Sequence, residues 1–408
     1  MTVDWRRVVG LVSGGHFLSH FYLLALPPLF PALRGDLGLT NTQLGLVMSA
    51  LSVGSLLQLP VGELVDRIGA KRVFVVGTAV TASGIAVAGL VLASYPALLA
   101  AALLSGVGQS AFHPADYALL GAATPGEAEG RSFGVHTFGG YAGFAAAPLV
   151  VGGVTAVAGP GVALGAVGLV GVAYAAVAAL ALPAVYRGTA DGAADGDDDP
   201  ESAADPAADG GATGDGGRAS LREELLRRDV LALGVFFLVF GTANKAAQTF
   251  TTVLATDAYG LTTSAGNTAL TAFFAASAVG ILVGGVVADR HEPRRVAVVT
   301  LALASVALVA VVYGVAPAGP TAAVAGFAAV GLLLGVVYPS RDRLVSRGTS
   351  EGSTGRGFGF AFSAGAVGSV GGPVLLGAVV DAVDARAAFL LAGALYLVTA
   401  GVVLLVRE

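Results

Sequence analysis

The chain has 408 residues, 55% of them hydrophobic and 12% charged, with a mean hydropathy of +0.80 and a formal net charge of −5. A soluble domain carries about twice that share of charge, so this much apolar surface must lie against lipid; the composition excludes a soluble enzyme and leaves nothing for nucleic acid to bind. The lack of cysteine excludes disulfides, thiolate nucleophiles and Cys-based metal sites.

In chain order, apolar stretches long enough to cross a ~30 Å hydrocarbon core as helices fall near 8–32, 42–64, 73–94, 97–121, 131–155 and 160–186. Six more follow near 229–254, 264–288, 296–316, 320–345, 354–380 and 386–406. The ~10-residue alternating strands of a membrane barrel are not visible. Arg6 and Arg7 ahead of the first run have the outline of a signal peptide, but the run is too long and holds His16 and His20, so it is read as a retained first helix. Residues 188–217 hold eight Asp, one Glu and no Lys or Arg, a composition that predicts a solvated, disordered linker. Leu221 to Arg228 reads as a short amphipathic helix at the headgroups. The expected organisation is an all-α membrane protein with a six-helix bundle over 1–187, a linker over 188–228 and a second six-helix bundle over 229–408.

Twelve spans put both termini on one side. Nineteen of the Lys and Arg residues then fall on the terminal side, Arg34 and Arg386 on the other, and Lys245 within a span. The positive-inside rule makes the termini cytoplasmic and the chain a multi-pass protein of the cytoplasmic membrane.

The two halves repeat. At an offset of 225, Gly106 meets Gly331, Pro114 meets Pro339, Gly130-Arg131 meets Gly355-Arg356, Phe133-Gly134 meets Phe358-Gly359, Gly143 meets Gly368, Pro148 meets Pro373 and Gly152 meets Gly377. Copies six spans apart share one topology and are related by a pseudo-twofold axis along the membrane normal, the geometry of carriers that bind solute at the midplane between two rocking halves.

The stretch from Gly62 to Arg72, with Asp66, Arg67, Gly69, Lys71 and Arg72, resembles the loop between helices 2 and 3 of the major facilitator superfamily, departing at Ala70. A degenerate second copy keeps Gly285, Asp289 and Arg290 but has Glu292 where the second glycine belongs. Gly106 to Pro114, Gly139-Gly140 and Pro148 resemble the fosmidomycin-resistance branch. The resemblance implies an alternating-access carrier, without enzymatic activity or cofactor. It implies that Asp66 and Arg67 are gate residues, with Asp66 capping the helix that begins near Gly355, and that helices 1, 4, 7 and 10 line the cavity. Gly62 is expected to let helix 2 pack closely on a partner. Lys71 and Arg72 are equally accounted for by the positive-inside rule alone.

Ionisable groups inside spans cost ~2.5–3.5 kcal/mol on insertion scales, so each marks a candidate site. They are His16 and His20 on helix 1, His113 and Asp116 on helix 4, His136 on helix 5 and Lys245 on helix 7. Three readings compete. The histidines relay protons while Lys245 attracts an anionic solute, with Gln58, Gln109, Asn244 and Gln248 as neutral partners; the histidines ligate a transition metal; or each satisfies a neighbouring helix, as His113 beside Pro114 and its repeat partner Tyr338 beside Pro339 suggest of a paired kink. Asp116 is expected either to carry a proton or to pair with Arg341 and Arg343 across the halves. The glycines of helices 5 and 11 are expected to permit rocking. The reading that follows is a monomeric secondary transporter with a small-molecule solute and protons as partners, working as an efflux carrier; uptake of an anionic metabolite and a non-transporting sensor are its alternatives.

Overall fold

The computed structural model describes residues 4–183, 228–314, 319–348 and 354–406. The predicted linker lies outside the described residues, as does the amphipathic helix apart from Arg228. Among the described residues the secondary structure is helical throughout: α1 (Trp5–Leu23), α2 (Phe30–Leu37), α3 (Asn41–Ser52), α4 (Gln58–Ile68), α5 (Ala70–Leu90), α6 (Tyr95–Gln109), α7 (Phe112–Ala123), α8 (Glu129–Ala158), α9 (Pro160–Ala181), α10 (Arg228–Tyr259), α11 (Thr263–Arg290), α12 (Pro293–Gly314), α13 (Gly319–Gly348), α14 (Thr354–Ala382) and α15 (Ala385–Val403). Eleven stretches are long and apolar enough to cross a membrane, and the bent pair formed by α3 and α4 makes the twelfth. The spans form two six-helix bundles.

Spans 1, 2 and 4 are broken where proline removes a backbone donor and crowds the carbonyl four residues back. Pro27 and Pro28 turn the chain through a 3-10 segment between α1 and α2. Pro60 faces the Leu56 carbonyl, and the turn ahead of it, Val53–Leu56, tightens to 3-10 before α4 leaves at 49°. Pro114 faces Ser110, and α6 stops at Gln109. Pro148, Pro339 and Pro373 by contrast lie inside the unbroken helices α8, α13 and α14. The paired kink expected at Pro114 and Pro339 is therefore not a pair.

The halves meet along two seams, α3 on α14 and α8 on α11. At the first, Gly45 lies against the Pro373 carbonyl and Gly377 against that of Asn41, so close that a Cβ at either would overlap backbone. Ser49 Oγ donates to Val370 O at 2.5 Å. At the second, Thr271 Oγ1 donates to Ala145 O at 2.9 Å, and Phe144 stacks on Phe274 at 4.8 Å. The glycines expected to form closely packed elements that permit rocking do mostly pack closely: Gly139 and Gly143 lie on the backbone of α1, and Gly368 and Gly372 on that of α10. Gly371 faces open space.

Among the described residues the halves part nearer the termini: helix α4 packs on α5 and α7 of its own half, with no substantial packing on the described part of α14. Gly62 meets nothing within 4 Å, so the expected close packing at this glycine is absent here, and Gly285 is equally open. Gly69 turns the chain from α4 into α5 with φ +91°. The second copy reaches the same turn differently: His291 is extended and the Glu292 carboxylate accepts from Arg294 N and Arg295 N, both at 2.8 Å, as an N-cap of α12. Lys71 does more than obey a charge rule, since its Nζ donates to Leu182 O at the end of the sixth span.

Candidate functional site

Helices α1, α7 and α8 converge inside the first bundle and bring His16, His20, His113, Asp116 and His136 together. His16 and His20 share one face of α1, four residues apart. Gly140 of α8 has no Cβ and so leaves room for His16 and His20 beside it. Asp116 is fully buried, and its Oδ2 lies 3.1 Å from His16 Nδ1 and 3.6 Å from His136 Nε2. The His16 ring stacks on His136 at 3.8 Å and lies 4.2 Å from His20 and 5.3 Å from His113. His16 and His136 are buried, whereas His20 and His113 are half-buried.

The cluster is under-satisfied. Among the described residues, Asp116 Oδ1, both nitrogens of His136 and the Nδ1 atoms of His20 and His113 are buried without a hydrogen-bond partner. Buried polar atoms are almost always bonded, and orphans gathered in one place mark a position where something binds. A carboxylate oxygen of Asp116 and one ring nitrogen each of His16 and His136 lie within 4.8 Å of one another. The His16 and His136 planes are only 28° apart, so their in-plane lone pairs run side by side instead of converging on one cation. That geometry suits a mobile proton better than a tetrahedral metal.

In this conformation Asp116 turns to the histidines and is not paired with Arg341 or Arg343: Arg341 binds neighbouring Asp342 at 2.9 Å and Arg343 turns to Ala288 O and Asp289 within its own half. Gln109 is occupied: its Oε1 accepts from Ser19 Oγ at 2.6 Å and its Nε2 donates to Ser19 O at 2.8 Å, which ties α6 to α1. Gln58 stands half-buried at the α3–α4 break, as the first residue of α4.

The second bundle supplies a polar ladder on α10 and α13. Asn244 Nδ2 donates to Tyr338 Oη at 2.8 Å, and Gln248 Nε2 to Asn244 Oδ1 at 3.1 Å. Tyr141 of the first bundle faces Tyr338. The Arg341 guanidinium lies 4.6 Å from the Tyr338 ring and 4.8 Å from that of Phe237. Lys245 is 9% exposed and has no acidic partner among the described residues. Tyr141, Tyr338 and the Arg341–Asp342 pair escape a sequence reading as ligands, because a tyrosine in an apolar run gives no signal and arginines near a span end are ordinary.

The residues expected to form the gate, Asp66, Arg67, Asp289 and Arg290, are exposed, and among the described residues Arg67 pairs with Glu63 at 3.3 Å. Residues 354–357, where the cap for Asp66 is expected, have no described side chains.

Twelve spans in two six-helix bundles are the architecture of a membrane transporter. The family model of the Major Facilitator Superfamily matches residues 12–267 and 231–408, and the chain belongs to that superfamily. It is 28% identical over 378 residues to "Uncharacterized MFS-type transporter YfnC" of Bacillus subtilis (strain 168), covering 90% of this chain and 85% of the relative. Over 144 residues, 35% of each chain, it is 29% identical to the fosmidomycin resistance protein of Escherichia coli (strain K12). A bacterial homologue of the human lysosomal transporter Spinster, inward-facing and occupied, superposes with a TM-score of 0.79 at 13% identity over 100% of this chain and 97% of that one. The nucleoside transporter NupG (D323A mutant) does so with a TM-score of 0.76 at 15% identity, over 98% and 100%. The chain is a non-enzymatic, multi-pass membrane transporter.

Proposed function

We propose that this transporter exports a small organic solute with an anionic group across the cytoplasmic membrane, in exchange for protons, as a monomer working by alternating access. The observation that carries the proton is Asp116, a fully buried carboxylate with one oxygen on His16 and the other without a partner. A carboxylate in that setting is stable when it holds a proton or shares one with an imidazole, and poorly stable when bare. Lys245, a buried ammonium with no carboxylate partner among the described residues, calls for an anion from the solute. Charge sorting makes the terminal face cytoplasmic, so the conformation described here is read as open to the cytoplasm and closed outside. The likeness to a resistance protein supports export.

The test is transport in proteoliposomes, with a solute first found by thermal-shift screening. Acid on the outer side should drive wild-type expulsion of solute. Asp116→Asn imitates a permanently protonated carboxyl, so solute exchange should persist while the response to the pH gradient disappears. A variant that still follows the gradient as wild type does would remove Asp116 from the proton path. Wild-type flux indifferent to the gradient would remove proton coupling altogether.

A further inference from the structure

At the end of α14 the Asp381 carboxylate reaches across to the first turn of α3. Oδ1 accepts from Asn41 N at 2.9 Å and Asn41 Nδ2 at 2.8 Å; Oδ2 accepts from Thr42 N at 2.8 Å and Thr42 Oγ1 at 2.7 Å. The first turn of a helix has N–H groups without partners inside the helix, and their positive end attracts an anion. Here the work is divided. Thr40 caps Gln43 N from within its own half, at 3.1 Å, and Asp381 of the other half takes the two preceding N–H groups. An ion pair, Arg34 with Asp257 at 2.5 Å, also crosses between the halves at the same face.

The second span and α14 run antiparallel, and each carries an aspartate at its C-terminal end. Asp381 is engaged in this structure; Asp66, at the other end of the second span, is exposed. We propose that Asp381 is the latch of the face away from the termini, a positioning residue that holds that face shut by capping α3, and that it is engaged in the opposite conformation from Asp66. Opening that face uncaps Asn41 and Thr42; closing the terminal face engages Asp66. The two aspartates then act on one equilibrium with opposite sign. This rests on the alternating-access reading, and nothing in it depends on the proton site.

The chain has no cysteine, so a spin-label pair at Asp36→Cys and Val383→Cys reports the separation of the halves at this face without background. In nanodiscs, with no solute and no pH gradient, the parent pair should show mainly the short distance. Asp381→Asn should move the ratio of long to short distances roughly tenfold toward long, the loss expected when charge-assisted bonds become neutral ones. Thr42→Val, which removes one of the four bonds, should shift it less in the same direction. Adding Asp66→Asn to Asp381→Asn should bring the ratio back toward the parent, which a merely structural role for either residue does not predict. An unchanged ratio in a monodisperse Asp381→Asn protein would overturn the latch, as would a double variant that opens further than Asp381→Asn alone. Neither result bears on proton-driven flux, which is read separately.

Discussion

A single charged side chain in a span is visible in sequence because lipid makes it costly; its partners are not, because they come from other spans. His16, Asp116 and His136 are 100 and 20 residues apart, and only the packing of α1, α7 and α8 makes them one group. Gln109, polar and central, reads in sequence as equally available but is engaged at both its oxygen and its nitrogen by Ser19. Lys245 is the contrary case, an ammonium whose burial is not matched by a carboxylate among the described residues. Replacing it with methionine keeps the volume and removes a charge worth ~2.5–3.5 kcal/mol on insertion scales. The empty Lys245→Met protein is expected to melt a few degrees above wild type, while the stabilisation given to wild type by an anionic solute falls by at least about tenfold in apparent affinity. Thermal unfolding with and without solute reads both effects. A variant that keeps the full ligand-induced shift places the anion elsewhere.

At the scale of the element, the number, order and ends of the spans are legible in the hydropathy pattern to within about five residues, since each span must satisfy its own backbone across the bilayer. Their breaks are not. Pro114 and Pro339 are repeat partners, yet the first interrupts its span and the second lies in a continuous helix. The turn before Pro114 is already tightened, with Ser110 N and Ala111 N bonded three residues back. Helix α13 lies along α11 through Gly280, Gly331 and Gly335 and continues through Pro339 without a break. Glycine carries a further prediction, because the same residue type sits in opposite surroundings at the two ends of the second span. A Cβ at Gly45 would overlap the Pro373 carbonyl, while one at Gly62 meets open space. Gly45→Val should therefore disfavour the conformation described here and lower the melting temperature. Gly62→Val should fold and melt like wild type yet lose transport, if Gly62 is packed only when the terminal face closes. Paired melting and flux measurements on the two variants decide it, and a Gly62→Val protein with full flux would show that this glycine is never a contact.

For the whole molecule, the internal repeat foretells two bundles and a site between them, and it has no means of showing which face is shut, because the repeat is common to both conformations. The structure supplies that: the α3–α14 seam, Asp381 and Arg34–Asp257 close one face, while among the described residues α4 stands clear of α14 at the other. The proposed orientation, terminal face cytoplasmic, rests on charge, with basic residues concentrated on the terminal side and Arg34 and Arg386 opposite. Arg386 is held there, donating to Ala258 O at 2.5 Å, and Arg34 is engaged by Asp257. The orientation bears on direction as well, since a carrier resting open to the cytoplasm loads solute from within. A membrane-impermeant maleimide on intact cells, followed by purification of the labelled protein, tests it, since the chain has no cysteine of its own. Asp36→Cys, exposed on the closed face, should label at once. Thr213→Cys, in the acidic segment between the halves, should label only after the membrane is permeabilised. The reverse pattern would turn the molecule over, make the shut face cytoplasmic, and convert the same structure into a carrier waiting for solute from outside.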